Sequence, residues 1–90
     1  SRVAAGMKRG GAVVLGKANL DEFPFGDFGI STVGGTVGNA YDPSLSTAGS
    51  SGGSATAVAA SLAALGFGTD TCNSLSNPAG FASLAFMASP

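Results

Sequence analysis

The 90-residue sequence contains no histidine. These residues therefore cannot build a Ser-His-Asp or Cys-His centre, nor a histidine-based metal site. A single cysteine, Cys72, cannot form an internal disulfide, so no oxidised scaffold is implied. Charge is scarce as well. Asp, Glu, Lys and Arg supply 10% of the chain, against about 25% in a typical soluble protein. The four cations, Arg2, Lys8, Arg9 and Lys17, all precede position 18, and the net charge is −1. That leaves no basic footprint for nucleic acid. Residues 43–69 carry no charge, but their apolar part, Ala55 to Phe67, is shorter than the ~20 residues that cross a bilayer. It reads as a buried helix, and no membrane span is expected. The sequence starts at Ser1 without a charged-then-apolar leader, so no signal peptide is expected. The compartment stays open, with the cytoplasm favoured.

What is abundant is small. Glycine, alanine and serine fill 43 of the 90 positions. Nine charges on such a chain cover a free-standing surface poorly. Close-packed backbones in the interior of a larger domain suit this composition better, so the sequence reads as an interior piece.

Along the chain, residues 1–9 end in Lys8-Arg9 and are followed by Gly10-Gly11, the marks of a helix C-terminus. Ala12–Leu15 is a short apolar run bounded by glycines, which fits a strand buried on both faces. Helix, glycine pair, then strand is an α/β order. Residues 17–27 read as a loop or a short helical turn. Residues 28–49 read as irregular and rich in turn formers, a length of loop that is often functional. Ala55–Leu65 reads as a helix that is apolar nearly all round, ended by Gly66 and Gly68. Residues 69–78 read as a polar loop, and 79–87 as an apolar stretch of ambiguous type.

Two segments can carry chemistry. Gly49-Ser50-Ser51-Gly52-Gly53-Ser54 leads into the 55–65 helix, where a glycine-rich turn offers free N–H groups and the positive end of the helix dipole to an anion. Alone, it fits a flexible linker or N-capping by Ser51 or Ser54 better. It lacks the lysine of a P-loop. Gly68-Thr69-Asp70-Thr71-Cys72-Asn73-Ser74 places a serine after a polar turn, whose N–H groups could hold an oxyanion; alone, it fits an ordinary Asx or ST turn better.

Together these segments are specific. GAVVLGKANLDEFPFG (11–26), GNAYDPSLSTAGSSGGSATAVAAS (38–61) and LGFGTDTCNSLSNPAGFASL (65–84) resemble, in order and separation, three blocks of the amidase signature family. That resemblance implies amide C–N hydrolysis through an acyl-enzyme, by a Ser–cis-Ser–Lys triad. It puts the nucleophile on Ser74 and the bridging serine, preceded by a cis peptide bond, on Ser50. Ser51 would assist the hydrogen-bond network, and the N–H groups of Thr71, Cys72, Asn73 and Ser74 would form the oxyanion hole. It implies no cofactor and no metal, with a small-molecule amide as substrate and the remainder of a parent amidase chain as partner. The fold it implies is α/β: a mixed sheet flanked by helices, of which residues 1–90 form one partial domain.

Three departures matter. The family's catalytic lysine has no counterpart here, since Lys17 matches the non-catalytic lysine of G-K-x-N-x-D-E-F and reads as a loop ion pair with Asp21 or Glu22. The piece alone is therefore expected to be inactive. Cys72-Asn73 stands where Gly-Gly is usual, with Cys72 read as a small packing residue. Leu75-Ser76 stands where Ile-Arg is usual, which removes a charged neighbour. The six phenylalanines read as core rather than as a substrate cage. Two alternatives accompany the amidase reading: the amide-hydrolysing subunit of an aminoacyl-tRNA amidotransferase, and a non-catalytic truncated remnant.

Overall fold

A computed structural model describes residues 1–88. It contains three short helices, α1 (Arg2–Arg9), α2 (Gly52–Ala59) and α3 (Ser76–Phe81), and two strands, β1 (Ile30–Ser31) and β2 (Gly35–Thr36). Helix α1 falls where the sequence places it. Ser1 caps it, its hydroxyl accepting from the Ala4 N–H at 3.2 Å.

All three helices stop in the same way. At α1, Gly11 takes a φ of 86°, its N–H donates to Lys8, and the Ala12 N–H donates to Met7. At α2, Ser61 (φ 59°) and Leu62 repeat the pair onto Val58 and Ala57. At α3, Ser83 (φ 55°) and Leu84 repeat it onto Gly80 and Ala79. This is the Schellman ending, in which a left-handed residue lets two N–H groups satisfy the last free carbonyls. It corrects the expected helix 55–65 at both ends. The helix begins at Gly52, inside the glycine-serine turn, and Ser61 terminates it before Gly66 or Gly68 is reached.

The expected loop 69–78 is also corrected, because its last residues enter α3. Pro78 lies in the first turn, where its missing N–H leaves no helical bond unmade. Residues 28–49 are more ordered than their composition suggests. β1 and β2 pair antiparallel, with Ile30 opposite Thr36 and Ser31 opposite Gly35. The Ser31 hydroxyl accepts from the N–H groups of Val33 and Gly34, closing the turn. Asp42 closes the next one, accepting from the N–H and hydroxyl of Ser44. Those two bonds hold its carboxyl below its ordinary value, the hydroxyl first.

Residues 12–15 form no strand: Val13, Val14 and Leu15 are exposed. A strand exists through a hydrogen-bonded neighbour, and no described residue pairs with this run. The sheet is accordingly a two-stranded antiparallel ribbon, and a mixed sheet flanked by helices is not formed among the described residues. Helix α2 packs against α3. The core between and beneath them is small: Ala48, Ala55, Ala79 and Ala82 with Pro78. The phenylalanines are not in it. All six expose more than half of their surface.

Candidate active site

The glycine-serine turn is fixed from below by Asp21. This residue is 3% exposed, and its N–H donates to the Ser50 carbonyl at 3.1 Å. Its carboxylate accepts from the N–H of Phe28 at 3.2 Å and from the N–H of Ile30. One acid thus holds the 21–30 loop closed while its own backbone holds Ser50. Gly49 lies directly on that carboxylate. A Cβ there would collide with Asp21 Oδ2 and stand 2.8 Å from the Gly26 carbonyl oxygen. Gly53 lies as tightly on Asn19, whose carbonyl accepts the Gly53 N–H at 3.1 Å. Just before the turn, Ala48 takes a left-handed φ of 56°, held by the Ser46 hydroxyl on its N–H and the Thr47 hydroxyl on its carbonyl.

The Gly49–Ser50 peptide bond is cis. Ser50 is 1% exposed, and its hydroxyl oxygen is buried without a hydrogen-bond partner. Such a group is rare in a native protein and calls for an explanation. The next residue joins the turn to the second loop: the Ser51 N–H donates to the Ser74 carbonyl at 3.0 Å. The Ser51 hydroxyl is bound to both backbone groups of Thr69, accepting from its N–H at 3.2 Å and donating to its carbonyl at 3.3 Å. Ser51 therefore does not cap α2 with its side chain, and the Ser54 hydroxyl donates instead to the Phe67 carbonyl.

Asp70 shapes the second loop. Its Oδ2 accepts from the N–H groups of Leu75 and Ser76 at 3.3 and 3.2 Å. The four N–H groups before these, on residues 71–74, donate to no acceptor among the described residues. Thr71 and Cys72 are exposed, and Asn73 and Ser74 are half-buried. Cys72 is therefore not the packing residue expected of it. A cleft of about 640 Å³ lies between residues 23–27 on one side and Thr69 with residues 71–74 on the other. Ser74 lines this cleft, and Ser50 and Ser51 do not.

The structure thus brings Ser50, Ser51 and residues 71–74 into one region. It does not bring Lys17 into it, nor does Lys17 pair as expected: Asp21 is committed to backbone N–H groups and Glu22 to Thr32. The hydroxyl and the N–H of Thr32 hold the Glu22 carboxyl below its ordinary value of 4.5. Sequence reasoning missed the part played by Asp21 and Asn19. The available signal was an aspartate in a stretch of turn formers, where its short side chain readily bonds nearby backbone amides. No group of His, Cys, Asp or Glu among the described residues could hold a metal ion, and no described helix is long and apolar enough to cross a membrane.

Two serine-bearing turns are joined by the Ser51 N–H on the Ser74 carbonyl and by the Ser51 hydroxyl on Thr69, and sequence comparison gives the chain that carries them a family. The chain belongs to the amidase family, whose model, described as Amidase, matches residues 1–85. It is similar to proteins named as the A subunit of glutamyl-tRNA(Gln) amidotransferase. That of Marinomonas sp. (strain MWYL1) is 44% identical over 81 residues, which are 90% of this chain and 17% of the relative. That of Burkholderia pseudomallei (strain 668) is 48% identical over 80 residues, 89% of this chain and 16% of the relative. That of Chlorobium chlorochromatii (strain CaD3) is 50% identical over 70 residues, 78% of this chain and 15% of the relative. The chain thus spans less than a fifth of the length of these relatives.

Proposed function

We propose that this chain is the nucleophile-bearing segment of an amide C–N hydrolase. The observation that carries the reading is the closure of the two turns. The Ser51 N–H on the Ser74 carbonyl ties the neighbour of Ser50, whose hydroxyl is buried and unpartnered, to the turn whose Ser74 lines the cleft. An orphaned buried hydroxyl is what a proton relay awaiting its base looks like.

In this reading the Ser74 hydroxyl attacks the amide carbonyl and loses its proton through Ser50 to a lysine supplied by residues outside this sequence. The N–H groups of 71–74 receive the developing oxyanion. The C–N bond breaks as the proton returns to the leaving amine, and water then releases the acyl group from Ser74. The lysine must be neutral to accept the proton, which burial favours.

A second reading, favoured by the names of the relatives, is the amide-hydrolysing subunit of an aminoacyl-tRNA amidotransferase, which works with partner subunits. Both readings are tested on the full-length parent chain. A fluorophosphonate probe is expected to label it, and Ser74→Ala to abolish the labelling; an unlabelled parent chain overturns both. Amide hydrolysis by the parent chain alone selects the first, and hydrolysis of glutamine that appears only with partner subunits and tRNA selects the second.

A further inference from the structure

Ser50 is placed by main-chain bonds. Its hydroxyl is buried and has no hydrogen-bond partner among the described residues, so no side-chain bond within this segment aims it. Two backbone bonds hold the residue on either side. The Asp21 N–H donates to its carbonyl at 3.1 Å, and the N–H of its neighbour Ser51 donates to the Ser74 carbonyl at 3.0 Å. The second bond leads to the turn that carries Ser74, and the first leads to Asp21.

Asp21 is itself clamped. Each carboxylate oxygen takes one main-chain N–H, Oδ2 that of Phe28 at 3.2 Å and Oδ1 that of Ile30. The carboxyl group also lies between two glycines. A Cβ on Gly26 would stand 2.8 Å from Asp21 Cγ, and one on Gly49 would collide with Oδ2. Gly49 precedes Ser50. No side chain buffers the carboxyl on either side, and atoms packed this closely transmit a shift rather than absorb it. Asp21 is 3% and Ser50 1% exposed, so chain added around this segment can only bury them further.

Resting on the proposed proton relay through Ser50, we infer that Asp21 is a positioning residue for that relay. Its clamped carboxylate holds its own N–H on the Ser50 carbonyl and seats Gly49, and so sets where the Ser50 hydroxyl stands relative to Ser74. Aspartate suits the task because two N–H donors need two acceptor oxygens. Asparagine offers one oxygen and turns a donor towards the other N–H.

The test is a double-mutant cycle on the full-length parent chain, read as the rate constant for labelling of Ser74 by a fluorophosphonate. Labelling joins the Ser74 oxygen to phosphorus and expels fluoride, and the Ser74 proton leaves by way of Ser50. Asp21→Asn is expected to lower the rate constant about tenfold, within the ~100-fold that a displacement of about 1 Å can cost. In the Ser50→Ala background, where oxyanion donors alone sustain a slow residual rate, the same substitution is expected to change it less than about twofold, because residues that act through one another do not add their losses. A role confined to the fold would reduce how much protein labels, or slow labelling equally in both backgrounds. Equal losses with and without Ser50 overturn the proposal, as does an unchanged rate constant in Asp21→Asn. Gly49→Ala displaces the same contact from the opposite side and serves if Asp21→Asn does not fold; a loss there that is independent of Ser50 also overturns the proposal. A parent chain that the probe does not label overturns the hydrolytic reading and this inference with it, whereas labelling that requires Ser74 but ignores Asp21 overturns this inference alone.

Discussion

The backbone of Asp21 donates to the carbonyl of Ser50 at 3.1 Å, while its carboxylate, 3% exposed, accepts from the N–H groups of Phe28 and Ile30. One residue therefore registers the cleft-lining loop against the glycine-serine turn. Asp21→Ala in the parent chain is expected to leave those amides unpaired and to cost about 1–3 kcal/mol. Asp21→Asn keeps an acceptor oxygen and is expected to lose less. Urea denaturation midpoints compare the two. If Ala and Asn are equivalent, the carboxylate bonds do not hold the loop.

Gly49→Ala is expected to be worse than a surface change. The added Cβ meets Asp21 Oδ2 and the Gly26 carbonyl at once, and neither is the free end of a flexible chain. Overpacking of this kind costs typically about 1–3 kcal/mol. The fluorophosphonate labelling rate of Ser74 is expected to fall with it, whereas Gly80→Ala, whose Cβ meets nothing within 4 Å, is expected to leave that rate unchanged.

Ser61 and Ser83 hold left-handed positions that glycine adopts without penalty. Ser61→Gly and Ser83→Gly are each expected to stabilise the parent chain, by up to about 1 kcal/mol. Thermal melts check this. A loss of stability at both positions would show that these helices do not end in the Schellman geometry.

Glu22 is held below 4.5 by Thr32. A carboxyl depressed in the folded state contributes stability above its ordinary value, and that contribution fades as the pH falls through the lowered one. A carboxyl-detected NMR titration is expected to place Glu22 below 4.5, and Thr32→Val to move it upward. An unmoved titration would mean that Thr32 is not the cause.

The two serine-bearing turns were legible in the sequence because glycine and serine at fixed offsets are dictated by the backbone itself. Gly49 and Gly53 have no space for a side chain, so the pattern records the structure directly. The α1 ending was legible for the same reason, through Gly10-Gly11. The ends of α2 and α3 were not, because Ser61 and Ser83 stand in glycine's place. The run Ala12–Leu15 misled because hydrophobicity records what covers a residue in the whole molecule, and its partners are not among the described residues. The phenylalanines misled likewise, and Phe23 and Phe25 reverse the expectation by facing the cleft. Cys72 carried no pattern of its own, and a lone residue in a turn is placed only by its neighbours.

Asn39 is buried, and its side-chain amide donates to the carbonyls of Ser46 and Phe81 at 3.2 and 3.1 Å. The second bond spans 42 positions and encloses both serine turns in a single ring of chain. Closing such a ring carries an entropic cost that no local turn repays. Losing the Asn39 amide would therefore open a loop of chain that carries Ser50 and Ser74 together, a closure that no bond between near neighbours in sequence could restore.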